Sequence, residues 1–267
     1  MTIRYSVSAH VATLTLDRPE ALNALDLDTL VELRARLANA RDDDDVRVIV
    51  ITGAGTKSFC VGADLKRSLP PSTSFGASFV KPLERAGAEG IYVRLMELGS
   101  LRIFKPLIAA INGYCLGGGL ELALQCDLRI ASTSAVFGLP EAVVASIPGV
   151  CGIQALQRAV PSAIAMKMLL TGGRIDAAYA HRVGLVSDLT EPEALLEESL
   201  QLARTIAANG PLAVQMIKKV IETSANVPLA QALEFTEMAW GALRDSEDRI
   251  EGRKAFAEKR APRYAGR

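Results

Sequence analysis

Two glutamates and two runs of small residues are the parts of this 267-residue chain best suited to chemistry. Glu121 follows Gly117-Gly118-Gly119-Leu120 and stands among Leu122, Ala123 and Leu124. Ahead of it, Leu107 to Ile111 reads as a buried strand, and the glycines between Gly113 and Gly119 permit a tight turn and close approach to a ligand. A helix beginning near Gly118 would expose unbonded N–H groups at the positive end of its dipole. Such a place suits an anion, or an oxygen that becomes one during reaction. The same spacing also fits tight helix–strand packing with Glu121 at the surface, and the pattern alone does not separate the two. Glu141 follows Phe137-Gly138-Leu139-Pro140 and precedes an apolar run to Ile147-Pro148-Gly149. Desolvation there should raise its pKa, the condition for general acid–base work near neutrality. Pro at the first helical position and Glu at the second is equally an ordinary helix start. Phe59-Cys60-Val61-Gly62-Ala63-Asp64-Leu65-Lys66 is a second stretch where small residues let backbone amides face a ligand.

The elements that must position these groups alternate along the chain. Val11 to Leu16, Val46 to Ile51 and Asp127 to Ala131 read as strands. Asp26 is placed to cap a helix carrying Leu27, Leu30, Val31, Leu37 and Ala38 on one face. The acidic run Asp42 to Asp45 lacks the alternation and the following Gly and Glu of a calcium loop, so it reads as a solvated turn. Gly53 to Ser58 lacks the glycine directly before Lys57 that a phosphate-binding Walker loop needs, and reads as a turn. Pro70 to Pro82 reads as a loop, and helical character returns from Gly90 to Arg102. Further on, helices are predicted from Ser162 to Leu170, Asp176 to Arg182, Glu193 to Asn209, Pro211 to Thr223, Pro228 to Leu243 and Ser246 to Ala261. Alternation followed by helices alone predicts an α/β core over residues 1–200 and a C-terminal helical region over 201–267.

Composition narrows the function classes. Thirty basic residues balance thirty acidic ones, which disfavours a nucleic-acid groove or a polybasic membrane face. Met1 to Pro19 holds no apolar core of the signal-peptide kind, and Asn112, Glu121 and the glycines argue against a membrane span over Pro106 to Leu124. Cys60, Cys115, Cys126 and Cys151 show neither a C-x-x-C pair nor zinc spacing and read as free thiols, consistent with a cytoplasmic protein and no metal. The only histidines, His10 and His181, sit in no nucleophile motif, and no G-x-S-x-G elbow occurs, so a Ser-His or Cys-His hydrolase has little support.

Seven segments in order then carry a resemblance. They are Asp17 to Leu25, Phe59 to Lys66, Ile111 to Asp127, Phe137 to Glu141, Ile147 to Gly149, Ala180 to Val186 and Phe256 to Arg260. Together they resemble the crotonase (enoyl-CoA hydratase/isomerase) superfamily over essentially the whole length. The resemblance implies a spiral of ββα repeats holding the CoA and active site, and a C-terminal helical region that assembles a homotrimer or a dimer of trimers. It implies an oxyanion hole at the backbone N–H groups of Ala63 and Gly118, and catalytic roles for Glu121 and Glu141 in the reversible hydration of 2-enoyl-CoA. CoA and acyl contacts fall on Ala21, Leu22, Asp64, Leu65, Gly117, Gly149 and Lys259. No cofactor is implied, since coenzyme A enters as part of the acyl-CoA substrate. The resemblance leaves other outcomes open: an isomerase working with Glu141 alone, a dehydratase of the carnitinyl-CoA kind, or a non-catalytic acyl-CoA-binding or RNA-binding oligomer. Val150 to Gln154 departs from the glycine-rich segment usual in the family, and Glu20 stands where a basic residue is common.

Overall fold

Val48-Ile49-Val50-Ile51 is apolar at every position, and the fold buries both faces of it. In the computed structural model, which describes residues 2–67, 74–83, 85 and 92–267, this strand is central to a six-stranded sheet. The strands are β1 (Ile3–Ser8), β2 (Val11–Leu16), β3 (Val48–Gly53), β4 (Ser58–Cys60), β5 (Leu107–Ile111), β6 (Tyr114–Leu116), β7 (Leu128–Ser132), β8 (Val136–Gly138), β9 (Arg174–Asp176) and β10 (Asp188–Thr190). The larger sheet has the order β1-β2-β3-β5-β7-β10, and a second sheet has the order β4-β6-β8-β9. Each of the consecutive pairs β3/β4, β5/β6 and β7/β8 therefore gives one strand to each sheet, and successive pairs stack in parallel register. This is the spiral expected from the resemblance.

Alternation along the strands divides the core in two. Ile49 and Ile51 point with Leu14, Leu16 and Phe59 into the space between the sheets. Val48 and Val50 point the other way, where Ile108, Ala110 and Ile130 pack against Leu195, Ala203 and Ala207 of the Leu195–Ala207 helix. Residue 200 falls inside that helix, so the covering of the sheet continues past it to Ala207. The following helices, Pro211–Ser224 and Leu229–Leu243, pack on each other and leave Ile217, Ile221, Leu233 and Trp240 exposed.

Several elements differ from expectation. Asp26 caps the Leu27–Asp42 helix through Thr29 N–H at 2.9 Å, as its sequence predicts. The short strands β4, β6, β8, β9 and β10 carry no readable alternation in three residues and were not foreseen. Within the expected Pro70 to Pro82 loop, Phe75–Phe79 is helical, while Pro70 and Pro71 lie outside the described residues. The expected Gly90 to Arg102 helix is two 3-10 turns, Tyr92–Met96 and Gly99–Leu101, with Gly90 outside the described residues. The last helix ends at Ala257, short of Ala261. Among the described residues no helix is long and apolar enough to cross a membrane.

Candidate active site

The site forms where the second sheet's parallel strands release their chains. β4 and β6 are neighbours, so the turns that follow Cys60 and Leu116 leave the sheet on the same edge. Gly62, at φ +89°, and Gly118 meet there: a Cβ on Gly62 would lie 2.6 Å from the Gly118 nitrogen and 3.3 Å from its Cα. Only a glycine at position 62 permits this approach, because the φ and the space both exclude a side chain. Gly117 turns the chain at φ 52° and ψ −130°, and the Gly118–Leu124 helix starts directly after it. Among the described residues, the N–H groups of Ala63 and Gly118 have no acceptor. Two unbonded donors are thereby brought to one place by contact between Gly62 and Gly118.

Glu121 is 2 % exposed, which removes the reading that put it at the surface. Its backbone N–H donates to Gly117 O at 3.0 Å, fixing it one turn from the glycine. Its Oε1 accepts from three successive backbone N–H groups, Val150 at 2.9 Å, Cys151 at 3.0 Å and Gly152 at 2.8 Å. This cradle was not foreseen. Its one trace in sequence is Gly152, where a Cβ would fall 3.0 Å from Glu121 Cγ and 2.8 Å from Pro148 Cβ. The Cys151 thiol beside it is pushed up to about 12 by burial and by the neighbouring Glu121 and Glu97 carboxyls.

Glu141 opens a 3-10 turn, Glu141–Val144, for which Pro140 is the N-cap and not the first helical residue as expected. Its Oε1 lies 3.2 Å from where a Gly117 Cβ would stand, so the carboxyl rests over the glycine turn. Its Oε2 is buried without a hydrogen-bond partner among the described residues. Burial raises the Glu141 pKa, and the charge of Glu121 adds to the rise, while its own backbone N–H works against it. The Glu141 carboxyl thus rests over the turn that holds the Gly118 amide, Glu121 is tied to the same turn through its backbone N–H, and the two carboxyls are close enough for the charge of one to act on the other.

The other expected residues fall in four places. Asp64 and Leu65 follow Ala63 directly, Asp64 buried and Leu65 76 % exposed. Ala21 and Leu22 lie in a turn where Leu22 and Asn23 take φ 53° and 57°. Asn23 and Ser58 hydrogen-bond that turn to the same strand edge, Asn23 Nδ2 to Ser58 O at 2.7 Å and Ser58 Oγ to Leu22 O at 2.8 Å. Gly149 is exposed, with Val93 side-chain carbons 3.7 and 3.8 Å from a Cβ placed on it. Lys259 is exposed beyond the last helix, at φ 53°, and within this chain no described hydrogen bond or ion pair of its side chain joins it to the other residues. Met96, missed in the sequence, is buried against Gly118, its Cε 2.4 Å from a Cβ placed there. Among the described residues no cluster of three or more His, Cys, Asp or Glu could hold a metal ion.

Comparison with known proteins gives the family and the fold. A family model described as Enoyl-CoA hydratase/isomerase matches residues 6–267. The (E)-benzylidenesuccinyl-CoA hydratase of Thauera aromatica is 49% identical, covering 100% of both chains. The carnitinyl-CoA dehydratase of Citrobacter koseri is 36% identical, covering 100% of this chain and 99% of its own. A crystal structure of an enoyl-CoA hydratase from Bacillus anthracis matches with a TM-score of 0.90 at 36% identity, covering 100% of both chains.

Proposed function

Because the chain belongs to the enoyl-CoA hydratase/isomerase family, we propose that it adds water reversibly across the C2=C3 bond of a 2-enoyl-CoA thioester to give the 3-hydroxyacyl-CoA. The observation that carries this reading is a pair of unlike, interacting carboxyls, Glu121 held by three N–H groups and Glu141, over the Gly117 turn, without a partner for Oε2 among the described residues. An isomerisation needs one carboxylate to move a proton from C2 to C4. Hydration needs a second group to orient water at C3, and two carboxyls divide that work.

In this mechanism the thioester oxygen accepts from the N–H groups of Ala63 and Gly118. The water oxygen bonds to C3 as the C2=C3 electron pair moves into the thioester as an enolate. Donors already in place for that charge are worth roughly 3–4 kcal/mol each. One proton from water passes to a carboxylate and one from a carboxyl passes to C2, so the enolate collapses and the pair returns to its starting charge. Glu121, its Oε1 fixed by the loop, orients the water, and Glu141, whose pKa is raised, exchanges the proton. Ala21, Leu22, Asp64, Leu65 and Gly117 line the CoA side, and Gly149 the acyl side. Lys259 meets a CoA phosphate from a neighbouring subunit of a trimer, or of a pair of trimers, assembled through the exposed apolar helices. Equal KM increases for CoA and pantetheine thioesters in Lys259→Ala would remove the phosphate contact.

The test follows enoyl-thioester absorbance across short, long, aromatic and trimethylammonium acyl chains, in water enriched in oxygen-18. Loss of absorbance with label in the product supports hydration. A shifted double bond without label would replace hydration by isomerisation, and acyl-CoA binding without turnover would leave a binding protein. A gel shift with RNA on the same preparation tests the remaining class.

A further inference from the structure

The Arg18 guanidinium lies beneath the Ala63 turn, with its side chain only 10% exposed. Its Nη2 donates to Asp64 Oδ2 at 2.8 Å, and its Nη1 donates to Ala24 O at 2.8 Å and lies 3.2 Å from Asp26 Oδ2. Asp26 pairs in turn with Arg67, so charges alternate along Asp64, Arg18, Asp26 and Arg67. Burial works against the ionised Asp64 carboxyl, but the bond from Arg18 and the Lys66 N–H at 3.2 Å hold its pKa below the usual range.

The backbone between these charges is laddered. Leu25 N–H donates to Gly62 O at 2.8 Å, and Asp64 N–H donates to Leu25 O at 2.9 Å. Successive peptide groups in an extended segment point to opposite sides. A ladder that uses Gly62 O and Asp64 N–H therefore turns the Ala63 N–H away from Leu25. The direction of that N–H depends on the peptides on both sides of it staying in place. Arg18 grips both partners of this bridge, Asp64 through its carboxylate and the Leu25 segment through Ala24 O.

We propose that Arg18 is a positioning residue for the reaction: by clamping Asp64 and Ala24 O it aligns the Ala63 N–H, beside Gly118, with the oxygen that gains charge. The inference rests on the hydratase reading. A fork of two N–H directions is needed for the two acceptors, and lysine cannot reproduce it. A misplacement of about 1 Å at such a donor costs about 10²-fold in rate.

The experiment compares the unaltered enzyme with Arg18→Lys and Asp64→Asn, each first checked by circular dichroism and size exclusion. Two quantities are read: kcat against KM, and the red shift in absorbance of a bound conjugated aromatic enoyl thioester, which reports polarisation of its carbonyl. The expected result is a kcat loss of about 10–100-fold with KM changed far less, together with a smaller red shift. Should Arg18→Lys not fold, Asp64→Asn, which keeps an acceptor for Arg18 but removes the charge, carries the comparison. Folded variants that keep the full red shift and kcat, or that lose only melting temperature, overturn the proposal. A red shift without turnover in the unaltered enzyme removes hydration but leaves Arg18 to be judged by the shift. Absence of both removes the two readings together.

Discussion

Glu121 and Glu141 are the same residue type and their carboxyls interact, yet their surroundings differ. Glu121 hangs from a seven-residue helix, is 2 % exposed, and has one carboxyl oxygen closed in by three N–H groups. Glu141 opens a four-residue 3-10 turn whose Val143 and Val144 are exposed, and its Oε2 has no partner among the described residues. Fixing a carboxyl by hydrogen bonds makes it a good template for a water, because its orientation is already set. Burying one partly, with the charge of the other nearby, raises its pKa and makes it a good proton carrier. The difference teaches that, in the proposed reaction, a division of labour would come from backbone N–H groups supplied or withheld, and not from the choice of side chain.

Replacing the carboxyls tests the comparison most severely. Glu121→Gln and Glu141→Gln are each expected to lower kcat by about 10²–10⁴-fold. The double variant should lose little more if the two act on one water as a unit. Multiplying losses in single-turnover assays would break the pair into two independent groups.

Next in size is the Gly118 amide. Gly118 does not take a positive φ, so proline's fixed φ suits the first helical position and its ring removes the N–H, while its Cβ, like alanine's, must displace the flexible end of Met96. Gly118→Pro, once shown to keep its oligomer, is expected to lose about 10²–10³-fold in kcat. Near-normal kcat would remove the oxyanion role. Gly118→Ala keeps the N–H but drives a methyl into Met96, so its effect should appear in KM more than in kcat.

Gly152→Ala sharpens the contrast, since its Cβ would fall 3.1 Å from Glu121 Oε1 while Glu141 lies over Gly117 instead. A loss of about 10-fold or more in kcat is expected, the scale of a displacement well under 1 Å. In the Glu121→Gln background the same substitution should add little. A full additional loss there would show that the cradle serves something other than Glu121.

The smallest effect is on stability. The folded-state pKa of Glu141 is raised, so the folded chain holds that proton more tightly than the unfolded chain does. Its contribution is complete below the ordinary glutamate range and is lost as pH rises through the raised value. Glu141→Gln should therefore melt about 1–3 °C above the unaltered protein at pH 8, with the gain shrinking towards pH 4. A variant that melts lower at pH 8 would show that the ionised carboxylate has a partner.

Much of the fold was legible because its signals are local. Leu107 to Ile111 is apolar throughout and became a buried strand, and Asp26, three residues before Thr29, capped its helix. Glycines 117 to 119 announced a tight turn because one of them takes a φ that other residues avoid. The three-residue strands were hidden, since so short a run has no period to read. Pro140-Glu141 has a common helix-start pattern, and only the observed φ and ψ of Pro140 placed it outside the 3-10 turn.

The candidate residues themselves came from the sequence: glycine turns, two glutamates and the order of seven segments are properties of the chain as written. What the tertiary structure alone decided is how each is held. Whether Glu121 faces solvent or core depends on N–H groups from a loop some thirty residues away, at separations of 29, 30 and 31. Whether Ala63 and Gly118 share a site depends on two strands meeting in register and on two glycines touching. Arg18 reaches Asp64 across a separation of 46. Backbone N–H groups carry no residue identity, and long-range contacts have no period, so neither leaves a pattern that the sequence alone displays.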